Sequence, residues 1–368
     1  MGRSLKLETR AGAFTVRPYR PGDEKAILDG WHRAFGKEME EAVWRWKYPG
    51  NPLGVRVVVC LSEDGEVAVH FAGIPYRCRL GEETFQAVHS VDCYSRPDYR
   101  KVLVGRSGLF VQTAKAFFDT FTFEPGDDDP GDMEERAAFL YGFPGERHFR
   151  LGEKLLAYTR FSRDKVFFAL PAESVISSKG LGRKPLLGGL EELELPESPG
   201  DISADASPRV EQFLEKADVL WTSSTDGPGA FSVVRDGSYL RWRFLSCPSR
   251  RYALYGFYTF PGNRLRGWLA GVFEGDDFKV LDFFFPGGAE AVVVAARALA
   301  RLAAGLKDRV RALHVWASGN HPLTEGLFRA GFQPSPEPLG FVPCYCRSRL
   351  SAEVMNRFVW TMADGDLY

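Results

Sequence analysis

One segment of this chain is written twice. VWRWKYPGNP, Val43 to Pro52, aligns without gaps on YLRWRFLSCP, Tyr239 to Pro248, so that Arg45, Trp46 and Pro52 fall on Arg241, Trp242 and Pro248. A strand hairpin follows each copy. The first, VRVVVCLSEDGEVAVHFAGIPYRCRL, turns at Asp64 and Gly65; the second, RYALYGFYTFPGNRLRGWLAGVFEG, turns at Pro261, Gly262 and Asn263. Both turns use residues that accept the φ angles a tight reversal needs. Each copy then gives a further strand, a helix, another strand and a segment ending in an aromatic. In the second half these are Phe278 to Phe285, Ala289 to Ala304, Ala312 to Ala317 and Pro322 to Phe332. A shared order of elements over such a length implies two domains of one fold. At 368 residues the chain is long enough to bury two cores.

Composition places the boundaries. Apolar strands and amphipathic helices alternate from Phe14 to Phe168, whereas Pro171 to Pro208 carries KGLGRKP and the acidic, proline-bearing EELELPESPGD. That stretch reads as a connector with some strand at Leu186 to Leu195. The expectation is an N-terminal domain over 12–168, a linker over 169–208, a C-terminal domain over 209–346 and a tail over 347–368. With 47 basic and 48 acidic residues, no global field exists to draw in nucleic acid or an anionic membrane. No apolar run is long enough to span a bilayer, and MGRSLKLETRAGAF lacks the apolar core of a signal peptide, so a cytoplasmic protein is expected. Six cysteines suit reduced, buried thiols better than a disulfide scaffold. Cys344 and Cys346 form a C-x-C pair without a second pair or a nearby histidine at zinc-like spacing; strand positions are expected there, and no metal.

The segment richest in chemistry is RPDYRKVLVGRSGLFVQTAKAFF, Arg96 to Phe118. Phe85 to Tyr94 before it has the aromatic and β-branched content of a strand, and Pro97 with Asp98 closes that strand. Arg100, Lys101, Val104, Gly105, Arg106, Ser107 and Gly108 follow, and Leu109 to Phe121 reads as a helix with an apolar face. A helix start aims free N–H groups and the positive end of its dipole outward, small residues let an anion approach the backbone, and the cationic side chains add charge. Such a segment can hold a phosphate; a surface turn with a basic edge is the plainer alternative.

This order of elements, helices, antiparallel hairpin, strand, cationic loop, helix, strand, helix, resembles the GNAT acyltransferase superfamily in both halves. The resemblance implies an α/β (α+β) protein of two tandem GNAT-like domains, each a mixed, mostly antiparallel sheet flanked by helices. It further implies acetyl-coenzyme A as cosubstrate. Cys93, Ser95, Pro97, Tyr99 and Arg100 stand where that superfamily's strand end and first loop cation fall, while Gly105 and Gly108 lie later than its R/Q-x-x-G-x-G/A loop asks. The coenzyme contacts so implied are Cys93, Tyr94, Ser95, Arg100, Lys101, Val104, Gly105, Arg106, Ser107 and Gly108. FLYGFPGERHFRLGEKLLAY, Phe139 to Tyr158, and HVWASGNHPLTEGLFRAGF, His314 to Phe332, look like the superfamily's fifth strand and following helix. The tyrosine that often protonates the leaving thiolate there is replaced by Gly152 in the first half and Phe328 in the second, with Tyr141 and Tyr158 nearby.

Acyl transfer to an amine needs a fixed thioester, a donor for the oxyanion and a route for a proton, because an alkyl ammonium has a pKa of about 10.4. His89 and Asp92 on the fourth strand are candidate bases; differing by an odd number, they are expected on opposite faces. Tyr141 completes the catalytic candidates. The second half offers Gly287 and Gly288 at its helix start but no cation, and Glu290 in the first turn repels phosphate, so the N-terminal domain is expected to bind coenzyme. Acidic Glu124 to Glu135 could steer a cationic acceptor. Asp364, Asp366 and the Tyr368 carboxylate could reach the cleft, although a frayed tail is the ordinary expectation. Trp31, Trp44 and Trp46 suit either a sugar face or a core. The expected activity is N-acetyl transfer to a small polar amine such as an amino sugar. Alternatives are an aminoacyl or peptidyl transferase, which would need a basic face for transfer RNA, and a non-catalytic coenzyme-binding or interaction module.

Overall fold

Residues 4–123, 136–162, 165–171, 189–193, 208–224, 231–259, 263–336 and 340–366 are described by the structure, a computed structural model. In chain order, β1 (Leu5–Thr9), β2 (Gly12–Pro18), α1 (Glu24–Phe35), α2 (Glu41–Lys47), β3 (Arg56–Ser62), β4 (Val67–Leu80), β5 (Glu83–Ser95), α3 (Leu109–Phe121), β6 (Phe139–Gly142), α4 (Glu146–Leu156) and β7 (Thr159–Arg160) come first. Then follow β8 (Lys165–Pro171), β9 (Gly189–Leu193), α5 (Pro208–Thr222), β10 (Phe231–Val233), α6 (Gly237–Leu240) with a π-helical turn over Arg241–Leu245, β11 (Ala253–Tyr258), β12 (Leu265–Glu274) and β13 (Asp277–Phe284). The chain ends through α7 (Gly288–Leu306), β14 (Ala312–Ser318), α8 (Thr324–Arg329), β15 (Gln333–Ser335), β16 (Cys344–Cys346), α9 (Ala352–Met355) and β17 (Phe358–Val359).

Two units result, and their boundaries correct those expected from composition. The first contains residues 1–78, 84–162 and 340–355; the second contains 79–83, 163–339 and 356–368. β8, expected at the end of the N-terminal domain, pairs with β14 and β15 of the second unit. β16, expected to close the C-terminal domain, pairs with β6 and β7 of the first. Each unit therefore takes one sheet strand from beyond its own half of the sequence, which composition cannot reveal. The strand expected inside the connector is β9, which pairs antiparallel with β11.

In the first unit the strand order is β1-β2-β3-β4-β5-β6-β16-β7, with β5 and β6 parallel. β3 is buried from Arg56 to Cys60 because both its faces are covered. Val58 and Cys60 join a core with Phe71, Val88, Leu140 and the α3 residues Leu109, Val111, Ala114, Phe117 and Phe118. Val57 and Val59 join a second core with Ile27, Trp44, Tyr48, Ala72 and Tyr94. A strand wrapped on two sides reads as a continuous apolar run, as VVVC does. Phe117 packs on Phe71, Phe118 and Phe121 at ring separations of 5.0, 6.4 and 5.1 Å. Truncating a ring so enclosed costs about 3–5 kcal/mol.

The second unit repeats the plan in the order β15-β8-β14-β13-β12-β11-β9, with β13 and β14 parallel. Alanine-rich α7 lays Ala291, Ala295, Ala298, Leu299 and Leu302 against Phe168, Leu269, Val280 and Val315. Among the described residues no helix is long and apolar enough to cross a membrane. The six cysteines are free thiols, and only Cys93 is less than buried.

A chain ending at Pro336 would lose β16, whose Cys344 and Cys346 lie in the first unit's core and whose neighbour Arg349 donates its N–H to the Ala138 carbonyl at 2.9 Å. The expected loss is several kcal/mol, a large part of the roughly 5–15 kcal/mol that hold a domain folded. Thermal melting and limited proteolysis check this: the truncated chain should melt early with cleavage within residues 1–162. An unchanged melting temperature would mean that β16 is dispensable.

Candidate functional site

β5 is where the sequence reading needs its main correction. Val88 lies in the core beneath α3, whereas Tyr94 lies in the core beneath α1 and α2. Both are even-numbered, so unbroken alternation would put them on one face. Asp92 breaks it by adopting φ 55, a left-handed conformation that acts as a bulge in the strand. His89 and Asp92 consequently share a face. His89 pairs in register with Tyr141 and stacks on it at 5.1 Å and 18°, on the side away from Val88 and Leu140. On that same side the Asp92 carboxylate accepts from Tyr48 Oη at 2.8 Å and Lys47 Nζ at 3.1 Å. An odd spacing predicts opposite faces only when no left-handed residue lies between.

The β5–β6 ladder runs from Ala87↔Phe139 to His89↔Tyr141, and β6 ends at Gly142 while β5 continues to Ser95. The far end of β5 thus extends past its parallel neighbour. Arg100 Nε donates to the Ser95 carbonyl at 2.9 Å and caps the strand. The chain then turns through Gly105, at φ 63, into a short 3-10 turn over Gly105–Ser107, and Gly108 is the N-cap of α3. Gly108 N–H returns to the Gly105 carbonyl at 3.1 Å, and Gln112 Nε2 donates to the Arg106 carbonyl at 2.8 Å. Arg100, Lys101, Val104, Gly105, Arg106 and Ser107 are exposed. The amides of Leu109, Phe110 and Val111 stand at the helix start, where intrahelical acceptors are lacking. Strand, cationic loop and helix therefore follow the expected sequence, and α3 has the expected limits.

Not every proposed contact is available through its side chain. Tyr94 Oη donates to the Ile27 carbonyl at 2.7 Å, and a Cβ on Gly30 would lie 2.4 Å from that oxygen, so glycine is required where the ring meets α1. Cys93 Sγ sits 3.5 Å from the Ala72 carbonyl, and burial pushes the thiol up to about 12, which removes it as a nucleophile. Tyr141 is 1% exposed.

Sequence reading missed Lys47, Tyr48 and His70. His70 Nδ1 lies 2.9 Å from the Asp92 carbonyl, and its ring stacks on Tyr94 at 5.3 Å and 20°. Burial, with the nearby Lys47 charge, lowers His70 to about 4. The Lys47 and Asp92 side chains are only 9% and 6% exposed. A signal was present in the repeat: Trp44, Lys47 and Tyr48 occupy i, i+3, i+4 of one helix face, so a lysine falls on an apolar stripe.

The second unit treats the corresponding region differently. Its parallel ladder ends at Val280↔Val315, and the tail lies against the strand ends beyond it. Thr361 bridges Ala317, Ser318 N–H donates to the Trp360 carbonyl at 2.9 Å, and Thr361 Oγ1 donates to Asp282 Oδ1 at 2.8 Å. Arg235 ties Asp282 and Asp364 together at 2.8 and 2.5 Å. Burial raises Asp364 against the pull of Arg235, the Asp282 carboxylate adding to the rise. The tail is thus not frayed: Trp360 to Asp364 are buried, Asp366 is half-buried, and Tyr368 lies outside the described residues. Glu290 pairs with Arg266 at 3.2 Å beside the Gly287 N-cap of α7.

No protein-family model and no curated protein matches the sequence. Solved structures do match in shape. A conserved protein of unknown function from Enterococcus faecalis V583, a probable N-acyltransferase, aligns with TM-score 0.61 and 12% identity over 91% of this chain and 72% of that one. A GCN5-related N-acetyltransferase from Kribbella flavida gives 0.56 and 14% over 90% and 70%. Saccharomyces cerevisiae N-myristoyltransferase with bound myristoyl-CoA gives 0.53 and 9% over 91% and 78%. The fold is that of the GNAT superfamily. It extends over both units, as the repeat implied.

Within this GNAT fold, Gly152 of α4 replaces the expected tyrosine for a visible reason: an added Cβ would lie 2.2 Å from the ring of Tyr158. Ala157, at φ 55, turns the chain so that Tyr158 folds back over the helix. Burial raises the Tyr158 hydroxyl well above its ordinary range. Phe328 is 46% exposed. Trp44 and Trp46 are core residues, while half-buried Trp31 packs on exposed Phe35 at 4.4 Å. The acidic run Glu124 to Glu135 lies outside the described residues. Among those described, no His, Cys, Asp and Glu group could hold a metal ion.

Buried His70 and half-buried His321 give the stability a defined pH dependence. His70 is lowered to about 4 and His321, in the second unit, to about 3, from about 6.5 unfolded. Between these values the unfolded chain binds the extra proton, so stability is complete above pH ~6.5 and falls as pH drops toward 4, by up to ~1.4 kcal/mol per pH unit for each histidine. Denaturant midpoints measured from pH 7 to 4.5 should fall steadily, and His70→Phe should flatten the first unit's share. A level profile would contradict both assignments.

Proposed function

We propose that the chain is an acyl-CoA-dependent acyltransferase, acting on the primary amine of a small polar acceptor, and that the first unit holds the coenzyme. The asymmetry between the two units carries this reading. In the first, the end of β5 runs past β6 into a cationic, glycine-bearing loop at the start of α3. In the second, the corresponding strand ends are engaged by residues of the chain's own tail.

The chemistry follows from the parts. The edge of β5 beyond His89 would pair with the amides of the pantetheine arm as an added strand does. The loop amides from Gly105 to Leu109 other than that of Gly108, which donates to the Gly105 carbonyl, and the side chains of Arg100, Lys101 and Arg106 would hold the pyrophosphate. With the arm fixed, the thioester carbonyl meets a backbone N–H near the bulge, and proximity supplies much of the acceleration. The acyl group is acetyl in the simplest case, although the N-myristoyltransferase of like fold holds a far longer chain. Trp31 and Phe35 offer an aromatic face suited to an amino sugar. A non-catalytic coenzyme-binding module is the second reading, favoured by the burial of Tyr141 and His89.

Thiol release from acetyl-CoA across a panel of amines, amino sugars included, separates the two. Sustained turnover with one of them is expected; tight coenzyme binding without turnover would favour the inert module. Gly105→Asp adds a carboxylate where nothing lies within 4 Å of a new Cβ, in a left-handed conformation that Asp tolerates better than most residues. It should weaken coenzyme binding about ten- to a hundredfold, while the left-handed φ, strained for any residue but glycine, costs about 1 kcal/mol and lowers the melting temperature by only a few degrees. Wild-type affinity in that variant would place the pyrophosphate elsewhere.

A further inference from the structure

Asp92 is held by more contacts than a strand residue needs. Its φ of 55 is one that L side chains rarely adopt. Three groups converge on it. Tyr48 Oη and Lys47 Nζ donate to its carboxylate at 2.8 and 3.1 Å, and His70 Nδ1 lies 2.9 Å from its carbonyl. A carbonyl only accepts, so Nδ1 must carry the proton. That fixes the neutral tautomer of an imidazole whose Nε2 is buried and without a partner among the described residues. The ring cannot swing away, because it stacks on Tyr94, itself tied to the Ile27 carbonyl of α1.

Peptide planarity gives this arrangement a consequence. The Asp92 C=O and the Cys93 N–H belong to one trans peptide and point in opposite directions. Drawing the carbonyl toward His70 turns the Cys93 N–H the other way.

We infer that Lys47, Tyr48 and His70 form a clamp that holds the left-handed turn at Asp92 and thereby aims the Cys93 N–H, making the three positioning residues for acyl transfer. The catalytic consequence rests on the acyltransferase reading given above; the clamp itself does not. A donor aimed before the substrate arrives stabilises developing oxyanion charge without reorganising, and its loss lowers kcat rather than coenzyme affinity.

The test uses the full chain. His70→Phe keeps the ring and its stacking but removes the donor; Tyr48→Phe removes one hydroxyl. Amide hydrogen exchange over Val91 to Tyr94, measured without ligand, should quicken about tenfold or more in His70→Phe, and less in Tyr48→Phe, with α3 unchanged. In thiol release, kcat should fall about tenfold or more in His70→Phe with KM and coenzyme Kd within about twofold. Asp92→Asn, which tolerates the left-handed region and keeps an acceptor oxygen, should retain more activity than β-branched Asp92→Val. Wild-type exchange together with wild-type kcat in His70→Phe would overturn the clamp. If His70→Phe does not fold, Tyr48→Phe decides by the same two readouts. A wild type that turns over no amine would sink the acyltransferase reading and the positioning role with it, while the exchange rates would still decide whether the clamp exists.

Discussion

A single left-handed residue organises the first unit. Asp92 inverts the alternation of β5, so His89 and the Asp92 carboxylate share one face while Val88 and Tyr94 serve opposite cores. An unstrained strand would keep Val88 and Tyr94 on one side and would leave either α3 or α1 without its packing partner. The conformation is unfavourable for aspartate by itself. It persists because a buried ammonium, a tyrosine hydroxyl and an imidazole meet it from α2 and β4. Removing one member of the Lys47–Asp92 pair would leave a charge uncompensated in a nearly dry place, at a cost of about 3–5 kcal/mol.

The second unit solves the same structural problem with different chemistry. Asp282 of β13 is wholly buried, and its partners are Arg235, Tyr239 and Thr361; a register shift lies opposite it between Ala270 and Gly271. Two carboxylates share one guanidinium there, and burial, with the second carboxylate adding to it, raises Asp364 against the pull of Arg235. The group that in the first unit is a lysine on a helix face is here an arginine bound to the tail. Duplicated halves have thus diverged in what engages their fourth strands. One keeps an extended strand end and a cationic loop, and the other enlists its own chain. That contrast, more than any single residue, assigns the coenzyme to the first unit in the proposal.

Much of this was legible in the sequence because local signals agreed with the tertiary outcome. The β-rich run ending at Tyr94, the Pro97–Asp98 turn, the glycine-bearing loop and the apolar stripe of Leu109 to Phe121 each obey short-range rules. The repeat exposed the tandem fold directly. What escaped was non-local. The exchange of β8 and β16 depends on which sheet offers an unpaired edge, and neither the composition change at Pro171 nor C-x-C spacing records that. Asp92 looked like an ordinary strand position because its left-handed φ is imposed by Lys47, Tyr48 and His70, residues distant in sequence. The tail looked frayed because its acidic end is neutralised by Arg235, more than a hundred residues away.

The most direct measurement is a crystal structure of the full chain with an acyl-CoA. The pyrophosphate should lie on the backbone from Gly105 to Leu109, with the pantetheine amides along β5 between Ser90 and Ser95 and the thioester carbonyl facing the Cys93 N–H. Coenzyme bound only in the second unit, or a first-unit loop left empty at saturating ligand, would contradict the account.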